Sequence, residues 1–443
     1  MSVYWCELAW LGGERAEAGV VVEVEGESIA SVRSRASEPP AGAERLDGLT
    51  LPGFANAHSH AFHRALRGRA QRGRGSFWTW REAMYELADR LDPESYFRLA
   101  RATFAEMALA GVTAVGEFHY LHHAPGGRPY ADPNELGTAM IAAAREAGIR
   151  ITLLDACYLH GGVAEPLTPV QERFSDGTAR AWAERVGALG DGPGARIGAA
   201  IHSVRAVDPK ACAAVAEWAT ERDRPLHAHV SEQPAENEAC IGAYGNTPTA
   251  VLEAAGALSP RFTAVHATHL IDADTAALGA AGCCCCLCPT TERDLADGIG
   301  PARDLADAGA SLALGTDSHA AIDMLEEARA VELDERLASG ERGRHDAPSL
   351  LAAATAAGHA SLGWDEAGRI APGAVADLVT IGLGGVRLAG TTPATALDAA
   401  VFAAGASDVE RVICAGREIV RDGEHLGLDV AAELREAIAA VTT

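Results

Sequence analysis

The stretch Leu49-Thr50-Leu51-Pro52-Gly53-Phe54-Ala55-Asn56-Ala57-His58-Ser59-His60 decides how the rest of the chain is read. An apolar run that ends in His-x-His reads as a buried strand carrying two imidazoles on one face, because side chains two apart on a strand point the same way. Both rings then reach one ion. Two histidines do not complete a metal site, so further ligands are expected elsewhere in the chain.

Outward from this stretch, apolar strand-like segments alternate with Ala-rich helical ones. Eight strand candidates fall at 49–57, 111–118, 150–157, 195–203, 225–231, 262–267, 281–288 and 311–315. Helical patterns lie between them, for example at 93–110, 134–147, 209–220 and 247–255. Such alternation implies parallel pairing through βαβ units, and eight strands is the count of a closed barrel. Both ends of the chain have another rhythm. Val20-Val21-Val22-Glu23-Val24 and Ser28-Ile29-Ala30-Ser31-Val32 read as strands around Gly26. Beyond Gly368, segments 376–381, 399–403 and 409–414 read as strands, and 430–441 as a helix. The expected fold is α/β: a (β/α)8 TIM-like barrel over 51–367, with a small β-sandwich domain formed by both termini, 1–50 and 368–443.

The composition, 48% apolar and 22% charged over 443 residues, is that of a globular protein. With 37 Lys and Arg against 61 Asp and Glu, the net charge of −24 speaks against nucleic acid, whose binding needs cationic side chains on phosphates. No apolar run reaches the roughly 18 residues of a membrane helix. Met1-Ser2-Val3-Tyr4-Trp5-Cys6-Glu7 has no basic region followed by an apolar one, so a cytoplasmic protein is expected. Five of the ten cysteines, Cys283 to Cys286 and Cys288, form one run without zinc-site spacing. They read as small hydrophobes of a buried strand, present as thiols.

In a (β/α)8 barrel the chemistry gathers at the C-terminal ends of the strands. Here those ends carry His58 and His60; Glu117, His119 and Tyr120; His202 with Arg205; His227, His229 and Glu232; His266 and His269; and Asp317, Ser318 and His319. Singly each has an ordinary reading: a satisfied histidine, a helix cap at Asp317, a solvated Glu232. Together, polar side chains collected at one end of so many strands are costly unless they serve a site. Imidazole and carboxylate suit zinc or a neighbouring transition metal, and three His with one Asp leave room for water. A metal lowers the pKa of such a water, and Glu232, three residues past His229, is placed to carry protons. Metal-assisted hydrolysis follows.

With these residues the chain resembles the amidohydrolase superfamily in its mononuclear deaminase branch. The resemblance rests on His58-x-His60, His229-x-x-Glu232, His266, Asp317 and Pro372-Gly373-Ala374-Val375-Ala376-Asp377. It implies one divalent metal per subunit, zinc or alternatively iron(II), on His58, His60, His229 and Asp317. It further implies that Glu232 shuttles protons, that His266 polarises the bond under attack, and that Asp317 aligns the nucleophile. Phe77-Trp78-Thr79-Trp80-Arg81 with Met84-Tyr85, Glu117-Phe118-His119-Tyr120-Leu121-His122-His123, His202-Ser203-Val204-Arg205-Ala206-Val207, His266-Ala267-Thr268-His269 and Cys288-Pro289-Thr290-Thr291-Glu292 resemble the formimidoylglutamate deiminase family. That family converts N-formimino-L-glutamate and water to N-formyl-L-glutamate and ammonia in histidine degradation.

The resemblance makes Arg81, Tyr120, His202 and Arg205 substrate-binding residues for a small dicarboxylate, which guanidinium groups clamp with paired hydrogen bonds. It also implies a homodimer. Family members carry Gln where this chain has His63, so that substrate contact falls to an imidazole. Spacing does not say which carbon–nitrogen bond breaks; ammonia release is what the resemblance implies. Two rival readings stand beside it. A ring deaminase or chlorohydrolase acting on a purine, pyrimidine or triazine is disfavoured by the two arginines. A metal-free, non-catalytic scaffold is disfavoured by the complete ligand set.

Overall fold

In a computed structural model, which describes residues 1–442, the eight barrel strands are Phe54–Ser59, Val112–His119, Arg150–Cys157, Ala195–Ile201, Leu226–Val230, Phe262–His266, Cys284–Leu287 and Ser311–Leu314. They pair in parallel and in chain order. The second and third are buried along their whole length, as parallel strands covered on both faces must be. Helices between them start where the sequence supplies caps. Asp92 accepts from the Ser95 N–H and Asp208 from the N–H groups of Lys210 and Ala211, each followed by proline at the first helical position.

The apolar run that opens the reading is two strands, not one. Glu44–Pro52 belongs to a second sheet, and Phe54–Ser59 enters the barrel. The break is at Gly53, where an added Cβ would lie 2.3 Å from Thr113 Oγ1 and the N–H donates to Asp377 O at 3.0 Å. The second sheet joins both termini, in the order Glu424–His425, Arg417–Arg421, Val409–Cys414, Leu378–Ile381, Glu44–Pro52, Ser2–Ala9, Glu17–Glu25 and Ser28–Arg33. It has a small core of its own around Cys6, Val22, Ile29, Leu46 and Leu378. Segment 399–403, read as a strand, lies in the helix Ala396–Ala403. Alanine favours the helix, and Leu397, Ala400 and Val401 share its buried face at helical spacing. Among the described residues no helix is long and apolar enough to cross a membrane.

A buried ion pair locks the two sheets together. Arg150, at the start of the third barrel strand, donates to both oxygens of Asp377, with Nη1 to Oδ1 at 2.8 Å. Asp377 Oδ1 also accepts the Ala415 N–H at 2.8 Å, and Oδ2 accepts the Thr113 hydroxyl at 3.1 Å. Burial works to raise the Asp377 pKa, but Arg150 outweighs it and holds the carboxyl below its usual range.

The barrel closes at its functional end. The His60 N–H donates to Asp317 O at 3.1 Å, and the Asp317 N–H donates to His58 O at 3.0 Å. Gly315 permits this approach, since a Cβ there would sit 2.7 Å from His58 Cβ and 2.9 Å from its backbone N and O. Gly315→Ala should therefore cost about 1–3 kcal/mol of stability and lower the metal content of purified protein, by urea titration and elemental analysis. Asp377→Ala strands Arg150 without its counter-charge and should cost about 3–5 kcal/mol in the same titration. Because the folded carboxyl is depressed, its contribution is complete above the unfolded pKa and is lost as pH falls through the folded value. Wild-type stability should thus drop more steeply with acidification below about pH 4 than that of Asp377→Ala.

Candidate active site

Three barrel strands bring the metal-competent groups to one point. His58 and His60 come from the end of the first strand, His229 from the fifth, and Asp317 from the loop after the eighth. His58 Nε2 lies 3.2 Å from His229 Nε2 and 3.3 Å from Asp317 Oδ1, and His60 Nε2 lies 3.4 Å from the same oxygen. The outer ring nitrogens of His60 and His229 are committed elsewhere. His60 Nδ1 donates to Phe118 O at 3.0 Å and His229 Nδ1 to His202 O at 2.7 Å, which leaves bare Nε2 lone pairs facing inward. Burial first, and then neighbouring imidazoles, push His58, His60 and His229 well below the usual pKa, so the rings are neutral. His60 Nε2 and Asp317 Oδ1 are then two acceptors face to face, an arrangement that a cation between them makes favourable. The donor set, nitrogen and carboxylate, fits a divalent transition metal.

His266 stands beside this group with the opposite electrostatics. Burial disfavours its charged form, but Glu232, Glu292 and Asp317 prevail and raise its pKa well above the usual value. Its Nδ1 lies 3.2 Å from Glu292 Oε1, while Nε2 has no hydrogen-bond partner and lies 3.7 Å from Glu232 Oε1 and 3.8 Å from Asp317 Oδ2. The backbone is left-handed at Ser231, His266 and Asp317, with φ of 52°, 67° and 40°. Such conformations cost energy in non-glycine residues and persist where the surroundings hold them. Beneath His58 and His60, Glu117 accepts the Ser59 hydroxyl at 2.6 Å and the Ala61 N–H at 2.8 Å, and His319 bridges Ser59 and Thr316. Burial pushes the Glu117 carboxyl up to about 8.

The site opens into a pocket lined by Glu232, His266 and Asp317 together with His63, Arg81, Tyr120, His202 and Arg205. His63 Nε2 lies 2.9 Å from the Tyr120 hydroxyl, which also lies 3.3 Å from Met84 Sδ. Among the described residues His63 Nδ1 has no hydrogen-bond partner. Arg205 Nη2 donates to Glu232 Oε2 at 3.1 Å, and its buried Nη1 has no acceptor among the described residues. Arg81 lies over the Tyr85 ring.

Beside Arg81, Phe77, Trp80, Met84 and Tyr85 face the pocket from the helix Phe77–Arg90; their motif is part of the sequence reading, but no role at the site is assigned to them there. Their spacing with Arg81, i, i+3, i+4, i+7, i+8, is a readable signal for one helix face. Tyr158, Phe174 and the buried acids Asp297 and Glu236 have no counterpart in the sequence reading and carry no such signal. Asp297 is raised to about 9 by burial and by Glu232; Glu236 is raised to about 7 by burial, which Glu232 reinforces and Arg205 opposes.

Other polar strand ends lie outside the site. His119 meets the Tyr96 hydroxyl, His227 Nε2 reaches Ser361 O, and His269 Nε2 reaches Asp297 O. Asp155, near His119 and His122, is forked by Arg185 at 2.8 and 2.9 Å, so a guanidinium already fills the place of a cation. Cys284, Cys286 and Cys288 pack with Ala57, Val265 and Ala313, and all ten cysteines are buried and free.

With the geometry in place, comparison with known proteins is direct. The Amidohydrolase family model matches residues 49–419. Over 400 residues the chain is 41% identical to the formimidoylglutamate deiminase of Pseudomonas aeruginosa, covering 87% of this chain and 88% of that one. It is 32% identical over 429 residues to the 8-oxoguanine deaminase of the same organism, covering 95% and 92%. The crystal structure of an amidohydrolase from Brucella melitensis superposes with a TM-score of 0.91 at 32% identity over the whole of both chains. The barrel, the terminal sheet and this extent of sequence identity place the chain in the amidohydrolase family.

Proposed function

We propose that the protein hydrolyses N-formimino-L-glutamate to N-formyl-L-glutamate and ammonia. The observation that carries this reading is the pair of guanidinium groups, Arg81 and Arg205, in one pocket with Glu232 and His266. The substrate has a carboxylate at each end of a short chain, and guanidinium is the side chain best matched to a carboxylate. The identity to the Pseudomonas formimidoylglutamate deiminase supports the same choice.

His58, His60, His229 and Asp317 would hold one divalent ion, zinc or alternatively iron(II). When bound, such an ion lets a water molecule ionise near neutral pH and polarises the group under attack. The protein's own groups do the rest. Glu232 takes one proton of the attacking water and gives it to the terminal imino nitrogen as a carbon–oxygen bond forms at the formimino carbon, which leaves a tetrahedral centre with a hydroxyl and an amino group. Glu232 then carries the hydroxyl proton to that nitrogen as the carbonyl forms and the carbon–nitrogen bond breaks, so both protons of the water leave with ammonia. His266 Nε2, without a protein partner, faces the reacting carbon's substituents and stabilises the charge that develops there. Arg205 links binding to chemistry, since one nitrogen steadies Glu232 while Nη1 remains for a substrate carboxylate. The enzyme works as a cytoplasmic homodimer; ten unpaired thiols suit a reducing compartment.

A second reading is a ring deaminase. Trp80, Tyr120 and Phe174 give the pocket aromatic walls, and one relative at 32% identity is an 8-oxoguanine deaminase. Ammonia release from N-formimino-L-glutamate, measured against guanine, cytosine and N-formimino-L-aspartate, decides between them. Turnover of a ring and not of the linear substrate sinks the first reading. Glu232→Gln should lower kcat by about 10²–10⁴ with metal content unchanged. Arg81→Met should raise KM with kcat nearly intact, whereas Arg205→Met should raise KM and lower kcat together, because it also releases Glu232.

A further inference from the structure

Gln171 lies outside the reacting centre, in the short helix Gln171–Phe174 that follows the third barrel strand. It is 2% exposed and its orientation is fixed by chemistry. Its Oε1 accepts both the N–H and the hydroxyl of Thr168, at 2.9 and 2.8 Å. A backbone N–H only donates, so the atom facing it is the amide oxygen, and Nε2 faces the other way. There Nε2 donates to the hydroxyl oxygens of Tyr158 at 2.8 Å and Tyr85 at 3.0 Å, and to Gly161 O at 3.2 Å. Arg81 Nη2 approaches the same Tyr158 oxygen at 3.4 Å.

A phenol oxygen that accepts keeps its own proton to give. Tyr85 and Tyr158 also hydrogen-bond to each other, which uses one of the two phenol protons. The other phenol proton remains free, since the bonds from Gln171 and Arg81 reach these oxygens as acceptors. Burial and then Tyr158 raise the pKa of Tyr85, which stays a donor at neutral pH. Both rings line the pocket beside Arg81. The result is a guanidinium beside a phenol pair that has one proton to give, a recognition surface for an anion with two oxygens.

We propose that Gln171 is a positioning residue that aims the Tyr85 and Tyr158 hydroxyls at the substrate carboxylate held by Arg81, and so sets the preference for a dicarboxylate. The proposal rests on reading the pocket as a dicarboxylate site, and it assigns specificity to three residues beyond Arg81, Arg205, Tyr120, His202 and His63.

The test uses glutarate, a dicarboxylate that does not react, and calorimetry on the zinc-loaded enzyme. Gln171→Glu keeps the shape but replaces the donor with an acceptor, which draws the phenol protons out of the pocket. Glutarate should bind about tenfold or more weakly, with zinc content and thermal midpoint retained. Tyr85→Phe/Tyr158→Phe should weaken it to a similar extent. Combining the three changes should weaken it by less than the product of the separate effects, since Gln171 acts through the phenols. Wild-type protein that fails to bind glutarate, unchanged affinity in Gln171→Glu, or a fully multiplicative triple variant overturns the proposal. Should Gln171→Glu not fold, the double Tyr variant decides, and unchanged affinity there overturns it as well. Failure of the reaction assignment looks different: no ammonia from N-formimino-L-glutamate, while the glutarate pattern holds.

Discussion

The structure depends on the seam where the last barrel strand meets the first. Two backbone hydrogen bonds, His60 N–H to Asp317 O and Asp317 N–H to His58 O, close the barrel and fix three of the four proposed ligands in one step. An eight-stranded parallel sheet has to close or leave two unpaired edges. Here the closing contact also carries the proposed ligand set, so a change that disturbs fold stability at the seam should disturb metal binding with it. Gly315 is the local requirement for that contact, because any Cβ would stand where the His58 backbone runs. The left-handed backbone of Asp317 is held in place by the same bonds.

Around this frame the charges are sorted by burial. The three candidate ligand imidazoles are neutral because they are dry and crowd one another. His266, a few ångströms away, is drawn the other way by Glu232, Glu292 and Asp317. One pocket thus holds neutral bases for a metal and a cationic acid for a developing negative charge. The chain's net charge of −24 disfavours an anionic substrate at long range, but screening confines that field to about 10 Å at ordinary ionic strength. Inside the pocket Arg81 and Arg205 set the local sign.

Much of this is legible in the sequence because strand ends concentrate chemistry, and the alternation of elements is a one-dimensional signal. The third barrel strand and the 409–414 strand fall at the residues where their β-branched runs place them. Two misreadings have physical causes. The 49–57 run is continuous in hydropathy, yet a close approach at Gly53 splits it between sheets, and no pattern in the run reports what Thr113 will occupy. The 399–403 segment is short and apolar, a case where periodicity does not separate strand from helix until Leu397, Ala400 and Val401 are taken together. At the site, the proposed ligands and arginines stand out because each follows a strand or belongs to a motif. Tyr158, Gln171 and Asp297 do not, because their meeting with the pocket depends on how long loops fold back.

Those loops make a second layer with its own logic. Arg173, next to Gln171, is fully buried and donates to the carbonyls of His123, Ala88 and Leu91, the last two at the C-terminal end of the helix Phe77–Arg90. That helix carries Arg81 and Tyr85 on its pocket face, and Gln171 meets Tyr85 from the loop. The two segments are therefore clamped twice, once by a guanidinium on helix-end carbonyls and once by an amide on a phenol. In the proposed reading the strands position the groups that break the bond, and this clamp positions the groups that choose the ligand. The clamp joins the loop after the third strand to the helix Phe77–Arg90 and to His123, whereas the seam joins the first strand to the segment after the eighth. The two share none of these hydrogen bonds, so changes in that loop should alter the proposed specificity without disturbing the seam.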